Sequence, residues 1–489
     1  MLKRIFKVSN LKYLIAFLIP LIFIFMTNQS LDNDSWDVLA EGRHIINNGI
    51  YYTDMLSMHE GLNITVQNYG FAVIFYLIYS VFGAPGIYVS MLILNFLTCF
   101  LLYKICMLLS NKNTNLSLLI MILTNLLLIL GFATTRAQMV DYTILLSLIY
   151  ILEKYIKTNK TKYLWWIPLF SLLQINLHAS SWWMIILITL AYLVDSIKMP
   201  KLHLQGYKTK PLIITIVTSI LIGFINPYGA KMITLIFTSY GNPTLQNLIA
   251  ELQAFRPFGG TLEILTYLSI VVVLFLLIFG NEKNLRIRHL LMFFGFLALG
   301  LNTIKGLSQF ILIMFLPLAS VYKDIKIEKL IDAKIGRNAL MFWSGILAFC
   351  SFIALCFTVI PQIPNYPDFA LVKAVDQIDN LTKDAMKPNL KIYTGYNDGG
   401  YLEYRGYKPY LDPRGEVFLE KNNGKANILQ EWVDFRNGEI PKEDFLSKYD
   451  FDYLFINDEW DPFKNLNHSN YELIYTDDTN IEIYKRIVN

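Results

Sequence analysis

The sequence predicts an all-α polytopic membrane domain followed by a small C-terminal α/β domain. Three observations predict it. Of 489 residues, 54% are hydrophobic and only 16% charged, and the mean hydropathy is +0.42, a balance that soluble globular chains do not carry. Apolar runs long enough to cross a bilayer follow one another as far as residue 360. From residue 361 to 489 that pattern gives way to short β-prone runs separated by Gly, Asp and Pro. The net charge of +4 says little by itself, and no polybasic tract points to nucleic acid, so no nucleic-acid partner is expected. All four cysteines, Cys99, Cys106, Cys350 and Cys356, sit inside apolar runs, where they read as small packed hydrophobes rather than disulfides or metal ligands.

The spans come first. A hydrocarbon core of about 30 Å needs close to 20 apolar residues, and such stretches occur near 12–27, 86–108, 116–133, 139–156, 163–178, 181–197, 211–226, 263–280, 288–303, 306–322 and 339–360, about eleven in all. The basic N-terminal start resembles a signal peptide but no small-residue cleavage site follows, so 12–27 is read as a retained first helix. The run "GFAVIFYLIYSVFG", 70–83, is apolar but short, and Gly83, Pro85 and Gly86 close it. It is read as an interfacial helix within an outer loop, 28–85.

Charge placement then fixes sidedness, because basic residues of short loops stay cytoplasmic. With 70–83 lying in the interface, Lys3, Arg4, Lys7, Lys104, Lys112, Lys157, Lys160, Lys162, Lys198, Lys201, Lys208, Lys210, Lys283, Arg286, Arg288, Lys323, Lys326 and Lys329 all fall on one side. The opposite loops keep only Arg43, Arg136, Lys231, Arg256 and Lys305. The expected arrangement is a multi-pass protein of the cytoplasmic membrane, N-terminus cytoplasmic, with a transmembrane domain at 1–360 and an extracytoplasmic α/β domain at 361–489. In that last domain helices are expected near 368–385 and 425–449, and strands in "LKIYTGYNDGGYLEYRGYKPYLDPRGEVF", "YDFDYLFIND" and "YELIYTDDTNIEIYKRI".

Polar residues collect at the outer ends of these spans. The first outer loop opens "NQSLDNDSWDVLAEGRHI" with Asp32, Asp34 and Asp37, and Asp54 follows in "TDMLS". "TTRAQMVDY" contributes Arg136, Gln138 and Asp141, "INLHASSWW" contributes Asn176 and His178, and Glu251, Asn302 and Lys305 complete the set. Ionisable groups at membrane depth line cavities or functional sites more readily than lipid, and acids together with bases suit an anionic substrate that needs a general base. Each has a plainer reading, a solvated loop acid, a snorkelling Arg136, a hydrogen-bonded His178 or a helix stop at "NPYG"; only their convergence is informative.

The order of these motifs resembles the GT-C class of integral-membrane glycosyltransferases. The resemblance rests on the Asp32-x-Asp34 opening, the helix carrying Trp36, Leu39, Gly42, Ile46 and Gly49, the Asp54–Ser57 turn, "RAQ" at 136–138, "NLH" at 176–178 and "NPYG" at 226–229. In the tail, "DGGYL" (398–402) and "YLDPRGE" (410–416) are similar to the extracytoplasmic domain of a bacterial branch of that class. The resemblance implies sugar transfer, hexosyl or pentosyl and inverting, from a polyprenyl-phosphate donor to an acceptor hydroxyl of a cell-envelope glycan, lipid or protein. It implies Asp32 and Asp34 as the catalytic carboxylates, with Asp37 as a third candidate. Donor and acceptor binding then fall to Asp37, Asp54, Arg136, Gln138, His178 and Lys305. No cofactor is required, since a lipid phosphate leaves well, although Asp32-x-Asp34 leaves room for a divalent cation. Two alternatives stay open: a lipid-linked glycan polymerase or ligase, which would rely on late outer loops, and a transporter or flippase, which would place its charges at the midplane and repeat its halves.

Overall fold

Helices make up most of the described residues, 31–197, 207–239, 241–325, 369–477 and 481–487 of a computed structural model. They divide into two units. One takes the described residues within Tyr88–Asn226 and Ile249–Pro361, and the other those within Gln29–Ile87, Pro227–Leu248 and Gln362–Asn489.

Nine of the eleven expected spans fall on helices, while 12–27 and 339–360 lie outside the described residues. Four helical segments among the described residues are long and apolar enough to cross a membrane: Tyr69–Leu109, Ala179–Ser196, Thr261–Ile278 and Ile304–Val321. The others fall short for physical reasons. Thr114–Ile129 has 16 residues, about 24 Å at about 1.5 Å per residue, and Gln138–Thr158 has the length but carries Asp141, Glu153, Lys154 and Lys157. The apolar outer surface of Thr261–Ile278, with Leu268, Val272, Phe275 and Ile278 exposed, suits lipid, as do the exposed Trp165 and Trp166 at a helix start.

The run Tyr69–Leu109 is two helices in tandem. Gly83 breaks it with φ 63° and ψ −162°, a conformation that glycine adopts cheaply, and Pro85 follows. The break stands where the sequence closes the 70–83 segment. Cys99 and Cys106, in the second part, are both buried and unpaired, as their apolar context predicts.

In the second unit, Asn33–Asn48 is an α-helix started by Asp32, whose Oδ1 accepts from the backbone N of Ser35 at 2.9 Å and from its Oγ at 2.6 Å. Asp34 lies in the first turn, where a negative charge favours the helix dipole. A Cβ on Gly42 would stand 2.1 Å from the carbonyl oxygen of Ala72, so this helix and the one starting at Tyr69 approach closer than any side chain allows. Trp36 is buried between Tyr401 and Tyr404, 5.0 and 4.9 Å between ring centroids.

The tail builds a five-stranded mixed sheet in the order β2-β1-β3-β5-β4, with β1 Lys391–Tyr393, β2 Lys408–Pro409, β3 Tyr453–Ile456, β4 Tyr471–Thr476 and β5 Glu482–Arg486. β1 is parallel to β2 and β3, and β5 is antiparallel to β3 and β4. Helices Phe369–Leu381, Ile428–Arg436 and Lys442–Tyr449 match the expected helical stretches, the second of which proves to be two helices. "GGYLEY", read as turn and strand, is instead a short helix, Gly399–Tyr404. Its two glycines are there for space: a Cβ on Gly399 would meet the Leu411 carbonyl oxygen at 2.0 Å, and one on Gly400 the Asn33 carbonyl oxygen at 2.4 Å. Gly400 N also donates to Asn33 Oδ1 at 2.9 Å, fixing this helix against Asn33–Asn48.

Candidate functional site

That close packing brings two acidic helix faces together in the second unit. Asp37 and Glu41 stand one turn apart on Asn33–Asn48, and Glu403 comes from Gly399–Tyr404. Asp412 and Arg414 follow in "YLDPRGE", and Asp54 comes from the loop after the first helix. All six are buried.

Arg414 organises them. Its Nη1 donates to Asp54 Oδ1 at 2.8 Å and its Nη2 to Glu403 Oε1 at 2.9 Å. Nε and Nη2 together grip both oxygens of Asp412 at 2.9 and 2.7 Å, and Nε lies 3.4 Å from Asp37 Oδ1. Asp54 is further held by the backbone N of Ser57 at 3.1 Å. Five acids against one guanidinium would leave four negative charges in excess if all were ionised. Burial acts against that excess by pushing the carboxyls of Asp37, Glu41 and Glu403 well above the ordinary range, against the opposing pull of Arg414. Burial also raises Asp54, but Arg414 and the Ser57 donors outweigh it and hold that carboxyl below its usual value.

Among the described residues Asp37 Oδ1 and Glu403 Oε2 are buried without a hydrogen-bond partner, and oxygens of Asp37, Glu403 and Asp412 lie within 4.8 Å of one another. Three carboxyl groups offering oxygens at this spacing fit a hard divalent cation, whose charge would favour their ionised forms. It differs from the pair suggested by the sequence, because Asp32 spends one oxygen on its helix cap. Asp32 and Asp34 lie half-buried at the helix start rather than within the cluster, and the charge of Asp34 adds to the rise of Asp37.

The polar residues of the first unit form their own groups. His178 Nδ1 pairs with Asp141 Oδ2 at 2.7 Å, and its Nε2 meets Ser180 Oγ at 2.8 Å. Asp141 is fully buried and also accepts from Gln174 at 2.6 Å and Ser181 at 2.6 Å, so it fixes the imidazole orientation. Gln138 donates to Ser308 Oγ at 2.7 Å, and that hydroxyl donates to the Lys305 carbonyl at 2.9 Å, which joins Gln138 to the Lys305 turn. Arg136 pairs with Glu251 at 2.6 Å, with side chains 28% and 44% exposed, an ion pair weak enough to be exchanged.

A polar cavity of about 380 Å³ opens in the tail. Asp398 forms part of its wall with Asn457, whose Nδ2 donates to Asp398 Oδ1 at 2.9 Å, and Trp460 lines it while 81% exposed. Burial raises the Asp398 carboxyl to about 6. A folded-state value above the unfolded one of about 3.9 makes stability highest when the proton is bound. Stability then falls as pH rises from about 4 to about 6. Asp398→Asn keeps the acceptor for Asn457 and is expected to remove that part of the slope. Thermal unfolding of parent and variant at pH 4 and pH 7 measures it, and an identical pH dependence in the two would show that Asp398 ionises freely.

Sequence reasoning misses Glu41 and Glu403. The Asp37/Glu41 spacing is a visible signal, whereas Glu403 lies in a stretch that carries no helical register in the sequence.

Comparison with known proteins yields fold likeness alone. No family model matches the chain, and no curated protein matches it. The crystal structure of the oligosaccharyltransferase of Archaeoglobus fulgidus in the apo form superposes with a TM-score of 0.57 at 10% identity, over 92% of this chain and 70% of that one. The same archaeal enzyme in complex with Zn and sulfate gives 0.51 at 12% identity, over 90% and 67%. The fold is thus similar to that of an oligosaccharyltransferase, in line with the GT-C-like fold that the motif order predicts.

Proposed function

We propose that the chain is a membrane glycosyltransferase that moves a sugar from a polyprenyl-phosphate donor to an acceptor hydroxyl on the outer face of the cytoplasmic membrane. The observation that carries this reading is the acidic start of Asn33–Asn48 in a fold similar to that of an oligosaccharyltransferase. A lipid-tethered donor holds its anomeric carbon just above the hydrocarbon, and a carboxylate following an apolar first segment is suited to that depth. In the inverting step the acceptor oxygen bonds to the anomeric carbon as the bond to the phosphate oxygen breaks. The hydroxyl proton passes to the carboxylate, and the lipid phosphate leaves with the bonding electrons.

Asp34 is the favoured base. Asp32 already caps its helix, and Asp37 sits within the buried cluster, where burial pushes its carboxyl well above the ordinary range. Arg136, His178 and Lys305 are assigned to the donor phosphate, Arg136 by exchanging Glu251 for it. Gln138 and Asp54 are assigned to positioning. A divalent cation, if used, would be held by Asp37, Glu403 and Asp412 and would supply positive charge to the acidic cluster. The tail cavity is assigned to the acceptor glycan, with Trp460 offering a flat apolar face to a sugar ring beside the carboxylate and amide groups of Asp398 and Asn457.

Membranes incubated with a panel of radiolabelled polyprenyl-phosphate sugars test the reaction, and donor-dependent label transfer is the expected result. Label moving only from a preassembled lipid-linked oligosaccharide would favour the glycan polymerase or ligase, a second reading to which the fold of the archaeal enzyme lends weight. Trp460→Ala is expected to raise the acceptor KM about tenfold, as lost stacking and uniform binding would, with kcat unchanged. A KM equal to the parental one would remove the tail cavity from acceptor binding.

A further inference from the structure

The first unit holds a cavity of about 480 Å³ that the glycosyl-transfer reading does not use. Four basic side chains line it, Lys157, Arg286, Arg288 and Lys323, against one carboxylate, Glu153. That carboxylate is already committed. Arg288 is buried and gives its Nε and Nη2 to Glu153 at 2.7 and 2.9 Å and its Nη1 to Asp195 at 2.9 Å, while His289 Nε2 meets Glu153 at 3.0 Å. Lys157, Arg286 and Lys323 make no ion pair among the described residues. Burial, and next the like charge of Arg288, pull the Arg286 guanidinium below its ordinary value, so the cations strain one another.

An anion relieves such a cluster. Several donors around one void suit the oxygens of a phosphate group, and the amide of Asn284 and hydroxyl of Ser320 add uncharged donors to the wall. Leu108, Leu109 and Ile156 make the remaining wall apolar, and the lining comes from helices expected to span a bilayer. Free phosphate needs no apolar wall, whereas a phospholipid brings headgroup and chain together. The sequence-based sidedness puts these four cations on the cytoplasmic face, where anionic lipids are concentrated. We propose that this cavity binds the phosphodiester headgroup of an anionic phospholipid, one molecule per chain. The site is independent of the sugar-transfer reading.

The test uses the full-length protein in nanodiscs of phosphatidylcholine with or without phosphatidylglycerol, with native mass spectrometry counting retained lipid. The expected result is one phosphatidylglycerol per chain, held at least about tenfold more tightly than phosphatidylcholine. It should persist at about 0.5 M NaCl, where generic surface attraction is screened. The combined Lys157→Gln, Arg286→Gln and Lys323→Gln protein should lose that preference. Because these residues make no ion pair among the described residues, its thermal midpoint in pure phosphatidylcholine should match the parent. Should the triple variant unfold, Lys323→Gln alone is expected to weaken phosphatidylglycerol binding at least about threefold. Equal retention of the two lipids, or unaltered binding by the variants, overturns the proposal. So does displacement of the lipid by millimolar inorganic phosphate, which would make the site one for free anions.

Discussion

Arg414→Ala is expected to destabilise the second unit by at least about 3–5 kcal/mol, the range for removing one partner of a buried ion pair, and in many preparations to prevent its folding. The guanidinium is buried and meets Asp54, Glu403 and both oxygens of Asp412. Alanine would leave these acids around an uncharged void, so each ionised one faces the desolvation penalty alone. Arg414→Lys retains the charge but cannot span the same fork, and should lie between the two. Without the cation, the carboxyls of Asp37, Glu41 and Glu403, already raised by burial, rise further. A raised folded-state pKa favours the protonated form, so the variant's deficit should grow as pH rises and shrink under mild acid. Thermal unfolding followed by tryptophan fluorescence at pH 5 and pH 7.5 measures both effects. Adding Asp54→Asn to Arg414→Ala should recover part of the loss, because Arg414 helps to hold the Asp54 carboxyl below its usual value. An Arg414→Ala protein with the parental midpoint at both pH values would mean that protons or a bound cation, not the guanidinium, balance the cluster.

Much of this arrangement is legible in the amino-acid sequence. Apolar runs locate nine helices, since length and hydropathy are local properties, and the Trp36, Leu39 and Gly42 pattern reads directly as one helix face. The "DGGYL" glycines read as turn formers because glycine usually marks turns; here close packing against Leu411 and Asn33 demands them inside a helix. That difference conceals Glu403. The Arg414 partnership is equally out of reach, since Asp54 and Arg414 are 360 residues apart and no spacing rule joins them. His178 is legible as polar at a helix end, yet its partner Asp141, 37 residues away, is brought to it only by the fold. Ala230–Ser239, an apolar helix of 10 residues, escapes a search for spans because it is too short to cross a bilayer.

Asp34→Asn is expected to lower sugar transfer by at least about 100-fold, the lower range for a lost general base, while donor binding and expression stay near parental. Asparagine keeps the size and hydrogen-bonding reach of aspartate and removes only its basicity. The same substitution at Asp32 is informative for a different reason. Asp32 caps Asn33–Asn48 through Ser35, and asparagine caps a helix about as well as aspartate, so Asp32→Asn leaves the helix intact. Any loss in that variant is therefore chemical. A 100-fold loss confined to Asp34→Asn would make Asp34 the base and Asp32 a cap, and losses of similar size in both would make them a pair sharing the proton. Asp37→Asn separates a further role: its carboxyl is buried beside Arg414 rather than at the half-buried helix start, so the amide should cost transfer far less than Asp34→Asn does. Arg136→Ala should instead weaken donor binding with little effect on the bound complex, since the phosphate it is assigned to is charged before the reaction begins. Single-turnover transfer with saturating labelled donor distinguishes the two patterns. If Asp32→Asn and Asp34→Asn both transfer sugar at the parental rate, the first outer loop does not hold the base, and the glycan polymerase, ligase and transporter readings take precedence.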